Sequence, residues 1–173
     1  HPLQLQIAMR GAALLKPGGL MCYSTCSLNP IENEAVVAAA LARMRLPVRL
    51  VPSAAELPGL KRMGGLARWR VSHGGALYAS FAELPEDARL GRGGPLPSMF
   101  PPEATAAAAM GLEQCLRVLP HMQDTGGFFI AVFERLGGEG AEQDEEDEVE
   151  VSSVARLLAT VPRLVRPVIF EAE

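Results

Sequence analysis

The chain has 173 residues, 49% of them hydrophobic, so one domain with a real core is the expectation; no run reaches the ~20 apolar residues that a membrane-spanning helix needs. Its formal charge of −4 hides an asymmetry: eight of the twenty acids lie in 139–150, and residues 1–138 carry thirteen Lys and Arg against ten acids, a balance of +3 that permits a polyanionic partner without requiring one. Three cysteines with no pairing pattern and no secretory leader point to free thiols in a reducing compartment, and Cys22 and Cys26 lack the second pair or His cluster that a zinc site needs.

His1-Pro2 is neither an initiator methionine nor the head of a signal peptide, and the chain reads as an excerpt. Residues 2–15 predict an amphipathic helix with Leu3, Ile7 and Leu14 near one apolar face, on which Gly11 also falls. Lys16-Pro17-Gly18-Gly19 ends it. Residues 20–24 form a short run that is apolar on both faces, as a covered parallel strand is. Asn29-Pro30-Ile31-Glu32 has the signature of a helix start, with an N-cap, a proline at N1 and a carboxylate at N3, and the Ala- and Val-rich run from Ile31 to Met44 continues that helix. Pro47 stops it, and residues 48–51 predict a short strand.

Residues 52–112 hold most of the Pro and Gly and read as an irregular insertion, with short strands at 69–72 and 77–81; such a segment is expected to carry function more than core. Residues 104–118 predict a helix in spite of Gly111, residues 120–127 are turn chemistry, and residues 128–134 are an aromatic and β-branched strand that closes a sheet. Residues 137–150 form an acidic, low-complexity linker expected to be disordered, and residues 151–173 look like the start of a further module.

The chemistry concentrates between Leu20 and Glu34. Cys26 falls between a strand's carboxyl end and a helix's amino end, where open α/β sheets gather ligands and where unpaired helix N–H groups favour a thiolate. That makes Cys26 a candidate nucleophile, although a cysteine after a strand is more often an inert buried hydrophobe. Cys22, inside the strand, and Cys115, inside a predicted helix, are read as packing residues.

The run Tyr23-Ser24-Thr25-Cys26-Ser27-Leu28-Asn29-Pro30-Ile31-Glu32-Asn33-Glu34 resembles the Nop/Sun-type RNA cytosine-5 methyltransferases, and within them the eukaryotic tRNA enzymes. Four further stretches agree in order and spacing: 1–11 with Leu5, Ile7 and Arg10-Gly11; 57–61; 99–102; and 115–121 running into 125–132. The resemblance covers about residues 1–136. It implies an α/β fold, the C-terminal half of a doubly wound, Rossmann-like S-adenosylmethionine-dependent methyltransferase sheet with the irregular insertion at about 52–112. Strands are expected near 20–24, 48–51 and 128–134, the last antiparallel. Half a sheet exposes an open edge and an uncovered face, so the chain alone is expected to be marginally stable and prone to aggregate.

The resemblance implies that the Cys26 thiolate attacks carbon 6 of cytosine. Carbon 5 then becomes nucleophilic enough to take a methyl group from S-adenosylmethionine, after which the carbon 5 proton and the thiol leave. Thr25 and Ser27 shape the loop. The family's second cysteine in an Asp-x-Pro-Cys motif, its glycine-rich cofactor loop and its acidic ribose-binding residue have no counterparts in this sequence. The cofactor-binding residues are therefore unknown, and the chain alone is expected neither to bind S-adenosylmethionine well nor to turn over. The implied partner is RNA, tRNA first, with no membrane and no metal. The implied location is the nucleus or nucleolus, with the cytoplasm as the alternative.

Lys61, Arg62, Arg68, Trp69 and Arg70, interleaved with Gly64 and Gly65, read as a basic loop with a stacking aromatic for RNA; the alternative is a solvated loop whose Trp packs back on the body. His121, in the turn before the last strand, is a site-mouth candidate, although a lone His in a turn more often bonds locally than acts as a base. A catalytically dead RNA-binding or scaffold fragment of the same fold stays open as a second reading, because the cofactor motifs are missing. A cysteine-dependent hydrolase or redox protein lacks a His or second Cys at telling spacing.

Overall fold

A computed structural model gives the fold and describes residues 1–52, 57–91 and 93–137. Apart from Gly137, the linker and terminal module expected at 137–150 and 151–173 lie outside the described residues. In chain order the elements are α1 (Pro2–Ala13), β1 (Leu20–Thr25), α2 (Glu34–Arg43), β2 (Val48–Leu50), β3 (Met63–Gly64), β4 (Val71–His73), β5 (Ala76–Tyr78), α3 (Glu86–Leu90), α4 (Ala104–Met110), β6 (Leu116–Val118), α5 (Pro120–Gln123) and β7 (Phe128–Arg135).

The run Phe128-Phe129-Ile130-Ala131-Val132-Phe133 has no polar face, and the reason is its place in the sheet. β7 is paired on both sides and buried on both faces from Phe129 to Phe133. β1 lies antiparallel along one side of β7, from Leu20 opposite Glu134 to Thr25 opposite Phe129. On the other side β2 pairs with residues 133–135 and β6 with residues 128–130, both antiparallel, and β3 extends the sheet beyond β6. Since β1 and β2 both oppose β7, they run parallel to each other; β1–α2–β2 is a strand–helix–strand crossover with the last strand inserted between its two strands. The fold is α/β, with β7 antiparallel as the sequence leads one to expect.

Alternation along β7 divides the core. Phe129, Ala131 and Phe133 share one face with Ala35, Val37 and Ala38 of α2, while Ile130 and Val132 share the other with Leu116. α2 is buried from Glu34 through Ala40 because the sheet covers one side, α1 another, and the segment after β3 a third. Both long helices lie on one face. The second helical layer of a doubly wound sheet is not found among the described residues, where Val51 and Leu57 help line the opposite face.

Four sequence expectations change in detail. Leu3, Ile7 and Leu14 do share a side of α1, but all three are exposed; α1 packs through Leu5 and Ala8 on Val36, Ala39 and Ala40 of α2. Small residues on both helices let their backbones approach, and that outweighs the larger side chains opposite. α2 begins at Glu34, later than the expected start at Ile31: Asn29 forms an Asx turn with its Oδ1 accepting from Ile31 N at 3.0 Å, and residues 30–33 are turns.

The helix expected over 104–118 is three elements. α4 stops at Met110, Gly111 takes the left-handed conformation at φ +67°, residues 112–114 make a 3₁₀ turn, and residues 116–118 join the sheet. The insertion is not a mere excursion either. It supplies Trp69, Val71, Leu84, Ala88, Phe100, Ala107 and Leu112 to the main core, seven of its fifteen buried residues. Besides β3, its strands are 71–73 and 76–78, shorter than expected, and are joined through Gly74 and Gly75 at φ +57° and +82°, the positive pair that a tight hairpin turn demands.

Candidate active site around Cys26

β1 delivers its last residue, Thr25, opposite Phe129, and the chain then leaves the sheet as the loop 26–29. Cys26 is exposed at the start of that loop. The other two thiols differ. Cys22 points into the packing beside Ile130 and Val132, and burial pushes its thiol up from the ordinary value. Cys115 is completely buried; burial first, and then the Glu34 and Glu113 carboxylates, push it up far more strongly. Cys115 is enclosed and Cys22 half-buried, both with their thiols pushed up, which leaves Cys26 as the exposed thiol of the three.

The loop that presents Cys26 is fastened on every side. Tyr23 donates its phenolic hydrogen to Glu32 O at 2.6 Å. The Thr25 hydroxyl donates to Asn33 Oδ1 at 2.6 Å, Asn33 Nδ2 donates to Ser27 O at 2.9 Å, and Ser27 N donates to Thr25 Oγ1 at 3.2 Å. Ser27 Oγ accepts from Asn29 N at 3.1 Å. Further along, Arg117 Nη1 donates to Leu28 O at 3.0 Å, and Leu28 packs against the turn at Gly127, where a Cβ would lie 3.4 Å from it. Thr25 and Ser27 thus bond the loop in place.

Arg117 and Glu34 form the deepest polar pair of the molecule's described part. Nε and Nη2 of Arg117 reach Oε1 and Oε2 of Glu34 at 2.5 Å each, Leu66 N adds a bond to Oε1 at 2.9 Å, and the guanidinium lies 5.8 Å from the centre of the Phe129 ring. A buried carboxylate with a two-pronged Arg and an amide donor has its oxygens satisfied, which is what makes burying the charges tolerable. The pair joins the loop, the first turn of α2, the chain after β3, and β6. Neither residue stands out in the sequence as a partner of the other. The available signal is a lone Arg in the apolar run 115–119 and a Glu opening an Ala/Val-rich helix.

The N–H groups expected to favour a thiolate at Cys26 are otherwise engaged. Those of Ile31, Glu32, Asn33 and Ala35 bond to Asn29 Oδ1, Asn29 O and, for the last two, Pro30 O.

Trp69 is 7% exposed and its indole N–H donates to Met99 O at 2.8 Å; it packs in the core and has no free face on which a base could stack. The alternative reading, a Trp packed back on the body, is the observed one. Arg62 turns inward, with Nη1 donating to the carbonyls of Leu57 and Leu60 at 3.0 and 2.6 Å. Lys61, Arg68 and Arg70 are exposed. Lys61 and Arg62 border an open cleft of about 530 Å³ that Met122 and Glu113 also line. His121 is exposed on α5; the neighbouring Gln123 is the residue that works there, taking Lys61 N on Oε1 and giving Nε2 to Gly59 O.

Among the described residues, no glycine-bearing turn leads from the carboxyl end of a sheet strand into a helix. β1 runs into Thr25-Cys26-Ser27 and β2 into Val51-Pro52. These residues do not fit an S-adenosylmethionine pocket. No group of three or more His, Cys, Asp or Glu among them could hold a metal ion, and no helix among them is long and apolar enough to cross a membrane.

Comparison with known proteins bears on this loop directly. Residues 1–69 match the family described as 16S rRNA methyltransferase RsmB/F. The chain is 40% identical over 168 residues to a tRNA (cytosine(34)-C(5))-methyltransferase of Drosophila melanogaster, covering 95% of this chain and 22% of that protein. It is 47% identical over 136 residues to a multisite-specific tRNA:(cytosine-C(5))-methyltransferase of Saccharomyces cerevisiae, covering 79% of this chain and 19% of that protein. A methyltransferase homolog from Pyrococcus horikoshii superposes with a TM-score of 0.47 at 26% identity, over 78% of this chain and 30% of that one. A thiol loop between strand and helix, inside a segment matched in this way, places the chain in the Nop/Sun-type (RsmB/F) family of RNA cytosine-5 methyltransferases. The chain spans about a fifth of the length of these two relatives.

Proposed function

We propose that this chain carries the nucleophile of an RNA cytosine-5 methyltransferase that acts on tRNA. The carrying observation is the difference among its thiols: Cys26 stands exposed on a loop bonded from both sides, while Cys22 is half-buried and Cys115 buried, both with raised pKa values. The reading is supported by the family and by the tRNA named in two relatives' descriptions.

In this reading the deprotonated Cys26 Sγ forms a bond to carbon 6 of cytosine, and the electron pair of the 5,6 double bond moves toward carbon 5, which becomes nucleophilic; S-adenosylmethionine, held by other parts of the full-length protein, would supply the methyl group and leave as the neutral thioether. After carbon 5 gives up its proton, the double bond re-forms and the C6–S bond breaks, returning the thiolate. This chain's share of the work is to present Sγ from the bonded loop that follows β1. Exposed Lys61, Arg68 and Arg70 supply positive charge for the RNA backbone.

The test is methyl transfer to tRNA by the full-length protein, wild type against Cys26→Ala. Loss of transfer to background in the variant, together with loss of any protein–RNA adduct, is expected. Full activity in the variant would sink the nucleophile assignment, and an inactive wild type would favour the RNA-binding or scaffold reading.

A further inference from the structure

Asn33 occupies the N-cap position of α2, where an Asn side chain ordinarily accepts a hydrogen bond from the helix's own first-turn N–H groups. It makes no such cap bond. The side chain is completely buried and is turned instead toward the loop eight residues earlier. There it grips the residue on each side of Cys26: Oδ1 takes the hydrogen of Thr25 Oγ1 at 2.6 Å, and Nδ2 gives a hydrogen to Ser27 O at 2.9 Å. The direction of each bond is fixed by chemistry. A carbonyl only accepts, so the amide nitrogen faces Ser27; the amide oxygen must then face Thr25, whose hydroxyl donates. Ser27 N closes the ring on Thr25 Oγ1 at 3.2 Å. Three bonds encircle Cys26 and leave its side chain outside the ring and exposed.

We infer that Asn33 is a positioning residue for the Cys26 thiol, holding the two flanking residues so that Sγ leaves the loop in one direction. The inference rests on the methyltransferase reading and concerns the orientation of that reading's nucleophile. A helix that gives up its own cap to fix a loop forgoes stability at its N-terminus, and the arrangement is accounted for if the position of the thiol matters more. Displacing a nucleophile by about 1 Å can cost on the order of a hundredfold in rate, whereas the affinity of the RNA for surfaces elsewhere is untouched. Loss of the ring is therefore expected in kcat and not in KM.

The variants are chosen to break one bond at a time in the full-length protein. Thr25→Val removes the hydroxyl at constant shape; Thr25→Ser keeps it; Asn33→Asp keeps Oδ1 and replaces the donor to Ser27 O by an oxygen. Thr25→Val and Asn33→Asp are each expected to lower kcat roughly ten- to a hundredfold with KM for tRNA within about twofold. Thr25→Ser should restore most of the rate, and the double variant should fall little below the worse single one, because both changes open the same ring. Thermal unfolding is measured alongside. A kcat for Thr25→Val equal to that of wild type would overturn the inference, as would a loss that Thr25→Ser does not rescue or that follows the fall in Tm across the set. Cys26→Ala in the same assay separates the two ideas: if it stays active, the nucleophile reading fails, whereas if it is inactive and Thr25→Val and Asn33→Asp match wild type, the positioning role alone fails. An inactive wild type overturns both.

Discussion

The loop after β1 and a second loop region, between β2 and β4 and interrupted by the short β3, end in opposite arrangements. In the first, residues 23–34, the reactive side chain is exposed and its neighbours are buried or bonded, so that Tyr23, Thr25, Ser27 and Asn33 all face inward around an outward Cys26. In the second, residues 57–70, the side chains that look built for a ligand are the ones turned inward: Trp69 is in the core and Arg62 bonds backbone carbonyls. An exposed reactive group on a satisfied scaffold points to chemistry at that spot. An inward Trp with outward charges around it points to a folded strut whose surface is merely basic.

The largest effect that bears on this contrast falls on Arg117, because it holds the first loop through Leu28 and meets Leu66, within the second, through Glu34. Arg117→Ala leaves Glu34 buried without its partner, and unfolding experiments are expected to find a loss of about 3–5 kcal/mol. Replacing both residues by apolar ones, Glu34→Leu with Arg117→Met, should recover part of that loss, since it removes the buried charge as well as its partner. Recovery stays incomplete, with Leu28 O and Leu66 N left without these bonds. A single variant as stable as wild type would show that the pair does not join the two loops energetically.

Trp69→Phe comes next. It removes the indole donor to Met99 O and leaves a space in the core, and should cost about 1–3 kcal/mol in stability while tRNA affinity of the folded protein stays the same. A Trp that stacked on bases would give the reverse, a loss of affinity at little cost in stability. Smaller again is the effect of Arg68→Ala with Arg70→Ala. If both side chains meet phosphates of single-stranded RNA, the slope of log affinity against log salt should shrink by about 0.7 for each phosphate no longer neutralised. An unchanged slope would mean that the exposed charges of the second loop do not touch RNA.

The same contrast explains what can be read from the sequence. The first loop is legible because its determinants are local: strand, thiol, Asx turn and helix lie within fifteen residues, and each has a short-range signature in residue type and spacing. Even there the helix starts later than the signature says, since Asn29-Pro30 is a good N-cap signature used here for a turn. The second loop depends on residues far away, Trp69 on Met99 and Lys61 on Gln123, and no local pattern carries such pairings. β6 is hidden for a similar reason. Residues 104–118 look helical by composition, but Gly111 turns the chain left-handed and Leu116 to Val118 are drawn into the sheet beside β7, with Arg117 between them bound to Glu34.

The smallest effect tests whether the first loop is as tightly held as its bonds suggest. The Tyr23 hydroxyl closes the loop onto Glu32, and its pKa is pushed up from 10.0 to about 12 by burial first and the Glu32 charge second. Between those two values the unfolded chain has lost this proton and the folded chain still keeps it, so the folded state binds more protons and stability falls as pH rises. The contribution is complete below pH 10 and gone once the pH passes 12. Because Tyr23 is only half-buried, the fall should be shallower than the shift alone would give. Tyr23→Phe removes both the bond and the titration. Its stability at pH 7 should be lower by about 0.5–1.5 kcal/mol, and the gap to wild type should narrow as the pH rises through that window. Curves that stay parallel from pH 7 to pH 12 would mean that Tyr23 does not hold the loop, and that Cys26 owes its place to the Asn33 ring and Arg117 alone.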